Sequence, residues 1–474
     1  MGGGNNNRAT NTASTVGGGY LNFATALRSV VAGGNNNTAS GQYSTISGGQ
    51  SNTATNFYST VGGGRSNNAT RADSVVGGGI NNTTSGDKST VSGGAGNTAS
   101  GGFSTVGAGQ DNTASNTHST VGGGENNTAN APKSTIGGGQ NNVSSGEQST
   151  VSGGLNNTAS GQRSFVGGGD NNTASGVKST IGGGEDHTCN GVSSTISGGF
   201  DNNTGDNYCT VSGGRRNNAT GGQSTIVGGK DHTASGGLSF VGGGDTNIAS
   251  NSNSTVSGGQ SNTASGEHST IGGGIANNAI GTRSTVAGGT ENRSGGNRST
   301  VGGGDLNAAN GAYSTISGGR QGKADKYGQF SHASGQFTTK GDAQYCRYIV
   351  RTATTDATAN VELFLDGTAG SNRITIPEDT AYQFHIYITS IENTGNNAKS
   401  SEITGLIRRQ NGGNATIVGQ HTDGNKTFND AAFTPSYTVS ADTTNQSLKI
   451  DVTGLAATNI HTVATVDITE VKYA

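Results

Sequence analysis

Between the N-terminus and about residue 324 the chain repeats a unit of fifteen residues without one insertion or deletion. Val16 is followed at steps of fifteen by Val31, Ile46, Val61 and Val76. The series continues through Val91, Val121, Val151, Ile181, Val211, Val241, Ile271 and Val301 to Ile316, and all 21 positions of the column are Val or Ile. A second column, from Gly4 to Gly319, is Gly at all 22 positions, Gly19, Gly34, Gly49, Gly64 and Gly79 among them. A third, Asn7 to Asn307, is Asn except at His187 and His232; a fourth, Ala9 to Ala324, holds small residues, with Thr84, Cys189 and Ser294 as variants. Loops on a globular domain tolerate changes of length. A register this strict means that successive units stack on one another.

Each unit carries two short extended pieces, of the kind STV and NTAS, separated by GGGxN and SGxx. Ser, Thr and Val suit strands, whereas Gly and Asn supply the positive φ that tight turns need. Two strands and two turns in fifteen residues make one coil of a β-roll or β-solenoid. The expected fold class is therefore all-β: a shaft of fifteen-residue coils, ~4.8 Å apart and roughly 100 Å long. Gly density (87 of 474 residues) excludes helix, and the fixed apolar column excludes low-complexity disorder. One Val or Ile and one Ala per coil is little to bury against the entropy of ordering fifteen residues. The aliphatic column, Val16 to Ile316, is accordingly expected to be shared between chains as the core of a homo-oligomer.

The pattern Ser-x-Val-x-Gly (Ser44, Ile46, Gly48; Ser59, Val61, Gly63) with Ala39, Gly41 and Ala54 resembles the head repeats of YadA-like trimeric autotransporter adhesins, which also occur in phage fibre proteins. The resemblance covers residues 1 to about 335, with a period of fifteen where that family commonly has fourteen. It implies three chains, hence a homotrimer.

Near Gly319 the repeat breaks in GRQGKADKYGQFSHASGQFTTKGDAQ. The expected division is a shaft over 1–326, a neck over 327–344 and a C-terminal knob over 345–474. The last part alternates as strands do, in NVELFLDG, AYQFHIYITSI, SEITGLIRR and TVATVDITEVKY, with turns at Asp366-Gly367, Asn411-Gly412 and Asp423-Gly424. An antiparallel β-sandwich or jelly roll follows, with Tyr382, Phe384, Ile386 and Ile388 on one buried face. Residues 327–474 also resemble a C-terminal domain common in phage tail-fibre-like proteins, which implies a terminal knob on a virion fibre.

A net charge of −3 and the lack of a basic run point away from nucleic acid. No stretch suits a membrane-spanning helix, and the first residues lack the charged and apolar regions of a secretory signal. Three cysteines are too few for a disulfide framework. The Gly runs lack the Lys-Ser or Lys-Thr of a phosphate loop. His187 and His232 stand 45 residues apart, and are expected as surface turn residues. The acids Asp170, Glu185, Asp186, Asp201, Asp245 and Glu267 read as scattered, and without Trp little is left for sugar stacking.

The sequence therefore leads to four expectations of function. The first is a virion fibre, not an enzyme and without a cofactor, assembled in a host cytoplasm and exposed on the particle. It would contact other copies of itself, virion proteins at one end and a host glycan or protein at the other. A bacterial surface adhesin, an ice-binding solenoid with stacked Thr and Ser, and a depolymerase are the alternatives. Knob loops carrying Asn393, Asn396 and Asn411 are the expected ligand contacts.

Overall fold

The computed structural model describes residues 2–370, 372–394, 397–423, 428–430 and 432–472. It forms two compact units, Met1–Ser235 and Gly236–Ala474, dividing inside the repeat. Both carry coils of one kind, about 22 in all, and no described residue is helical. In the first unit Thr15–Val16 pairs in parallel with Val30–Val31, and Phe23–Ala24 with Thr38–Ala39, always fifteen residues apart. The STV pieces thus build one parallel sheet and the NTAS pieces another.

The interior of the coil corrects the expected role of the aliphatic column. Val16, Val31, Ile46, Val61, Val91, Val121, Val151, Ile181, Val211, Val241, Ile271, Val301 and Ile316 are each 0% exposed within a single chain. They face the inside of their own coil and are not a seam between subunits, so the reason given for a shared trimer core falls. The apolar count omitted the polar half of the core. Besides Ile46 and Ala54, the coil around Asn52 buries Asn52 and Ser59. Asn52 Nδ2 donates to the carbonyls of Gly48 (3.0 Å) and Gly64 (2.9 Å), and its Oδ1 accepts the N–H of Asn67 (2.9 Å). Ser59 Oγ donates to the Asn56 carbonyl at 2.7 Å. The turns on either side of this coil thereby find partners from within, and a buried polar column holds one coil to the next.

His187 and His232, expected on the surface, are both buried in this Asn column. His187 Nδ1 accepts the Asn202 N–H at 3.0 Å and so reproduces the Asn acceptor. Cys189 and Cys209 occupy the Ala and Ser columns, also buried. The Gly column answers a backbone demand: Gly19, Gly34, Gly49, Gly64 and Gly79 have φ between 85° and 100°. A Cβ on Gly79 would lie 2.1 Å from the Gly94 carbonyl oxygen.

In the second unit the coils continue past the point where the sequence pattern breaks. Thr315–Arg320 pairs in parallel with β1 (Phe330–Ser334), setting Ser331 beside Ile316 before a bulge. β1 then pairs antiparallel with β2 (Ala343–Thr354), Ser331 opposite Cys346. β2 pairs with β11 (Ile460–Lys472), which pairs with β5 (Thr380–Glu392), and β5 with β6 (Ala398–Arg409). β7 (Thr416–Thr422) and β8 (Phe428–Asn429) close that sheet beside β6. A smaller sheet centres on β10 (Ser447–Thr453), flanked by β3 (Val361–Glu362), β4 (Ile374–Thr375) and β9 (Ser436–Asp442). Tyr382, Phe384, Ile386 and Ile388 of β5 pack with Leu448, Ile450 and Val452 of β10 in a common core, so the antiparallel sandwich is present as read. One sheet runs from coil to sandwich without a break in pairing.

Candidate functional site

Both turns of most coils contain a non-Gly residue at φ near +57°, and the two positions differ in the side chains they favour, with Leu21, Arg216 and Leu306 as exceptions at one and Asp73 and Asn253 at the other. One turn takes Asn36, Asn81, Asn126, Asn141, Asp186 and Asp201, the residues that tolerate this conformation best. The other takes Arg28, Tyr43, Tyr58, Lys88, Phe103 and His118 at the same φ. Bulky side chains stand there against the backbone preference, and they stack from coil to coil. Tyr43 and Tyr58 lie face to face, centroids 4.9 Å apart and planes at 22°. The Arg28 guanidinium sits 5.5 Å over the Tyr43 ring, and Phe57 meets Tyr58 edge-on at 4.4 Å. Phe103 and His118 stack at 4.9 Å with Lys88 over Phe103. In the second unit Tyr313 rests on Tyr327 with Arg298 above it. The low aromatic content had concealed these stacks, because their partners lie fourteen or fifteen residues apart in sequence.

Four of the six acids gather, whereas Asp245 and Glu267 lie apart in the second unit. Asp170 and Glu185 form bridge partners on adjacent coils, and Asp186 and Asp201 occupy the next position on neighbouring coils. Asn171 Nδ2 donates to Asp186 Oδ1 at 2.7 Å. Four carboxylates therefore share one turn over three coils.

A third feature is a cleft of about 240 Å³ where the last coil meets the sandwich, lined by Lys323, Asp325, Lys326, Lys340, Glu470 and Lys472 among others. Glu470, 7% exposed, accepts from Gln344 Nε2 at 2.9 Å and from the Tyr382 hydroxyl at 3.4 Å. Lys323 Nζ pairs with Asp325 at 2.6 Å. Burial, with the Glu470 charge added, pushes the Cys346 thiol up to about 11, so it stays protonated beside the cleft.

The expected ligand loops do not gather. Asn393 follows β5 and Asn411 follows β6, and these strands pair antiparallel from Thr380 opposite Arg409 to Ile391 opposite Ala398. The two residues therefore stand beyond opposite ends of the pair, whose eleven steps from Thr380 to Ile391 alone span roughly 37 Å at ~3.4 Å per residue. Asn396 lies outside the described residues.

No family model matches the chain, so neither the YadA-like resemblance nor the phage-type C-terminal one gains support there. No curated protein matches it either. Solved structures do. A tailspike protein, gp49 of Acinetobacter baumannii bacteriophage Fri1, described as a capsular polysaccharide depolymerase, is similar at 9% identity. The match covers 90% of this chain and 79% of that one, with a TM-score of 0.21. The tailspike of Acinetobacter baumannii phage AM24 matches at 10% identity over 92% and 79%, TM-score 0.19. That of Acinetobacter phage vB_ApiP_P1 matches at 9% over 75% and 82%, TM-score 0.21. The likeness is thus to phage tailspikes. The expectation that the chain is not an enzyme is corrected by the same finding, because the gp49 tailspike is described as one.

Proposed function

We propose that the chain is a virion spike or fibre protein: a stiff coil that carries a sandwich and attaches the particle to polysaccharide on a host surface. One observation supports this above the others. The coil's sheet passes into the sandwich through paired residues, Ile316 to Ser331 to Cys346, with no linker between them. Such a joint keeps the terminal domain at a fixed attitude, which suits a spacer that holds a binding surface away from a particle. Other virion proteins would hold one end, and the number of chains per spike follows from light scattering. The test is competition. Purified chain added to susceptible cells should block adsorption of the particle in proportion to dose, and cells stripped of surface polysaccharide should bind neither. A chain that binds no cells would end this reading.

The acid cluster favours a second reading, cleavage of that polysaccharide. Asp170 and Glu185 are bridge partners whose backbones lie ~4.8 Å apart, a spacing that brings the two carboxyls within reach of the roughly 5–5.5 Å separation of retaining glycosidases. Glu185→Gln and Asp170→Asn should then each lower release of reducing ends by at least about a hundredfold while leaving adsorption unchanged. Equal release by the parent and both variants would dismiss these two residues.

A further inference from the structure

We infer that Tyr58, with Phe57, Asp73 and Arg71 around it, is a carbohydrate subsite that takes one pyranose ring of a host-surface polysaccharide; this rests on the attachment reading above. Four observations in the first unit carry it. Tyr58 sits at φ 53°, a backbone state that Asn or Gly adopts at least cost, so the ring is there for its side chain. The stack has a covered end and an open one. Arg28 caps Tyr43 and Tyr43 covers one face of Tyr58, but the next position on the ladder is the short Asp73. Tyr58 keeps 48% of its surface exposed and Phe57, set edge-on to it, keeps 42%. The next coil's turn carries Asp73 one step up the column from Tyr58, with its N–H on the Phe57 carbonyl at 2.9 Å, and Arg71 two residues before it. Neither the Asp73 carboxylate nor the Arg71 guanidinium makes a hydrogen bond or ion pair among the described residues, and both are exposed.

A flat electron-rich ring with free acceptors and donors at its rim matches a sugar, whose C–H face is apolar and whose hydroxyls radiate from the edge. The C–H groups lie on the negative ring face while Asp73 accepts from hydroxyls and Arg71 donates to them. Size argues against a protein partner. Stable protein interfaces bury about 800 Å² per side, far more than two half-exposed rings offer.

Substitution to Asn separates this role from mere stacking, since Asn fits φ > 0 and Tyr58→Asn should leave the coil as stable as before. The full-length chain, Tyr58→Asn and Asp73→Asn are applied to an array of purified bacterial capsular and O-antigen polysaccharides. Binding is confirmed in solution by quenching of tyrosine emission, which no Trp obscures. The expected result is that the glycans bound by the parent lose at least tenfold in affinity with Tyr58→Asn and severalfold with Asp73→Asn, at unchanged thermal midpoint. Unchanged glycan affinity in Tyr58→Asn overturns the subsite even if the chain still adsorbs to cells, which leaves the attachment reading standing. A silent array with Tyr58-dependent, protease-sensitive cell binding also overturns it, in favour of a protein partner. A parent that binds neither array nor cells overturns both.

Discussion

At the scale of the residue, the buried Asn carries more of this fold than its polarity suggests. Asn112 Nδ2 donates to the carbonyls of Ala108 and Gly124 at 3.1 and 2.8 Å, and its Oδ1 accepts the Asn127 N–H at 3.0 Å. Asn112→Ala leaves the Ala108 carbonyl and the buried Asn127 N–H without this partner, while the Gly124 carbonyl keeps the Gln110 N–H, and should lower stability by about 1–2 kcal/mol by chemical denaturation. His187 tests the same column by pH. Burial pushes its pKa down from 6.5, and nearby Gly199, Asn202, Asp186 and Asp201 offset that only in part. The folded state therefore holds the ring neutral while the unfolded chain takes up a proton. Stability from this residue is complete above about pH 6.5 and declines as pH falls through the folded-state value. His187→Asn removes that loss, so its advantage in denaturation midpoint over the parent should widen from about pH 7 to about pH 5.

At the scale of the element, one coil is a closed hydrogen-bonding circuit whose two turns make different demands. Gly78 and Gly79 are neighbours in sequence and opposites in tolerance. A Cβ on Gly78 meets nothing within 4 Å, whereas Gly79 has φ 92° and its Cβ would strike the next coil's backbone. Gly78→Ala should change the thermal midpoint little, within about 0.5 kcal/mol, and Gly79→Ala should cost several kcal/mol. Much of this was legible. The period, the strand pairs, the Gly column and the alternation of Tyr382 to Ile388 all follow from spacing, because stacking fixes register. What stayed hidden has a physical cause as well. Counting only Val and Ala as core misses Asn52 and Ser59, whose burial depends on partners that appear only once coils are stacked. The Tyr43–Tyr58 stack and the Asp170–Glu185 pair lie fifteen residues apart in sequence, so neither looks like a cluster until the coil closes. The separation of Asn393 from Asn411 depends on strand order, which spacing alone does not give.

At the scale of the whole molecule, a core contained in each chain changes what association is needed for. The aliphatic column is sealed in a single chain, so folding does not wait on a partner. The thermal midpoint should accordingly stay constant, within about 1 °C, over a hundredfold range of protein concentration; a midpoint that climbs with concentration would show that association stabilises the fold. The sequence pointed to a homo-oligomer through scarcity of apolar surface, with the number three implied only by the resemblance, and that scarcity was apparent because hydrogen-bonded Asn and Ser fill the remaining space.

The unbroken fifteen-residue register has an evolutionary corollary. A coil of this design can change length only in whole steps, each a duplication or loss of 45 nucleotides that adds or removes ~4.8 Å and leaves every ladder matched. Fractional changes misalign glycine against glycine at once and are eliminated. Length thus becomes a digital trait, counted in coils.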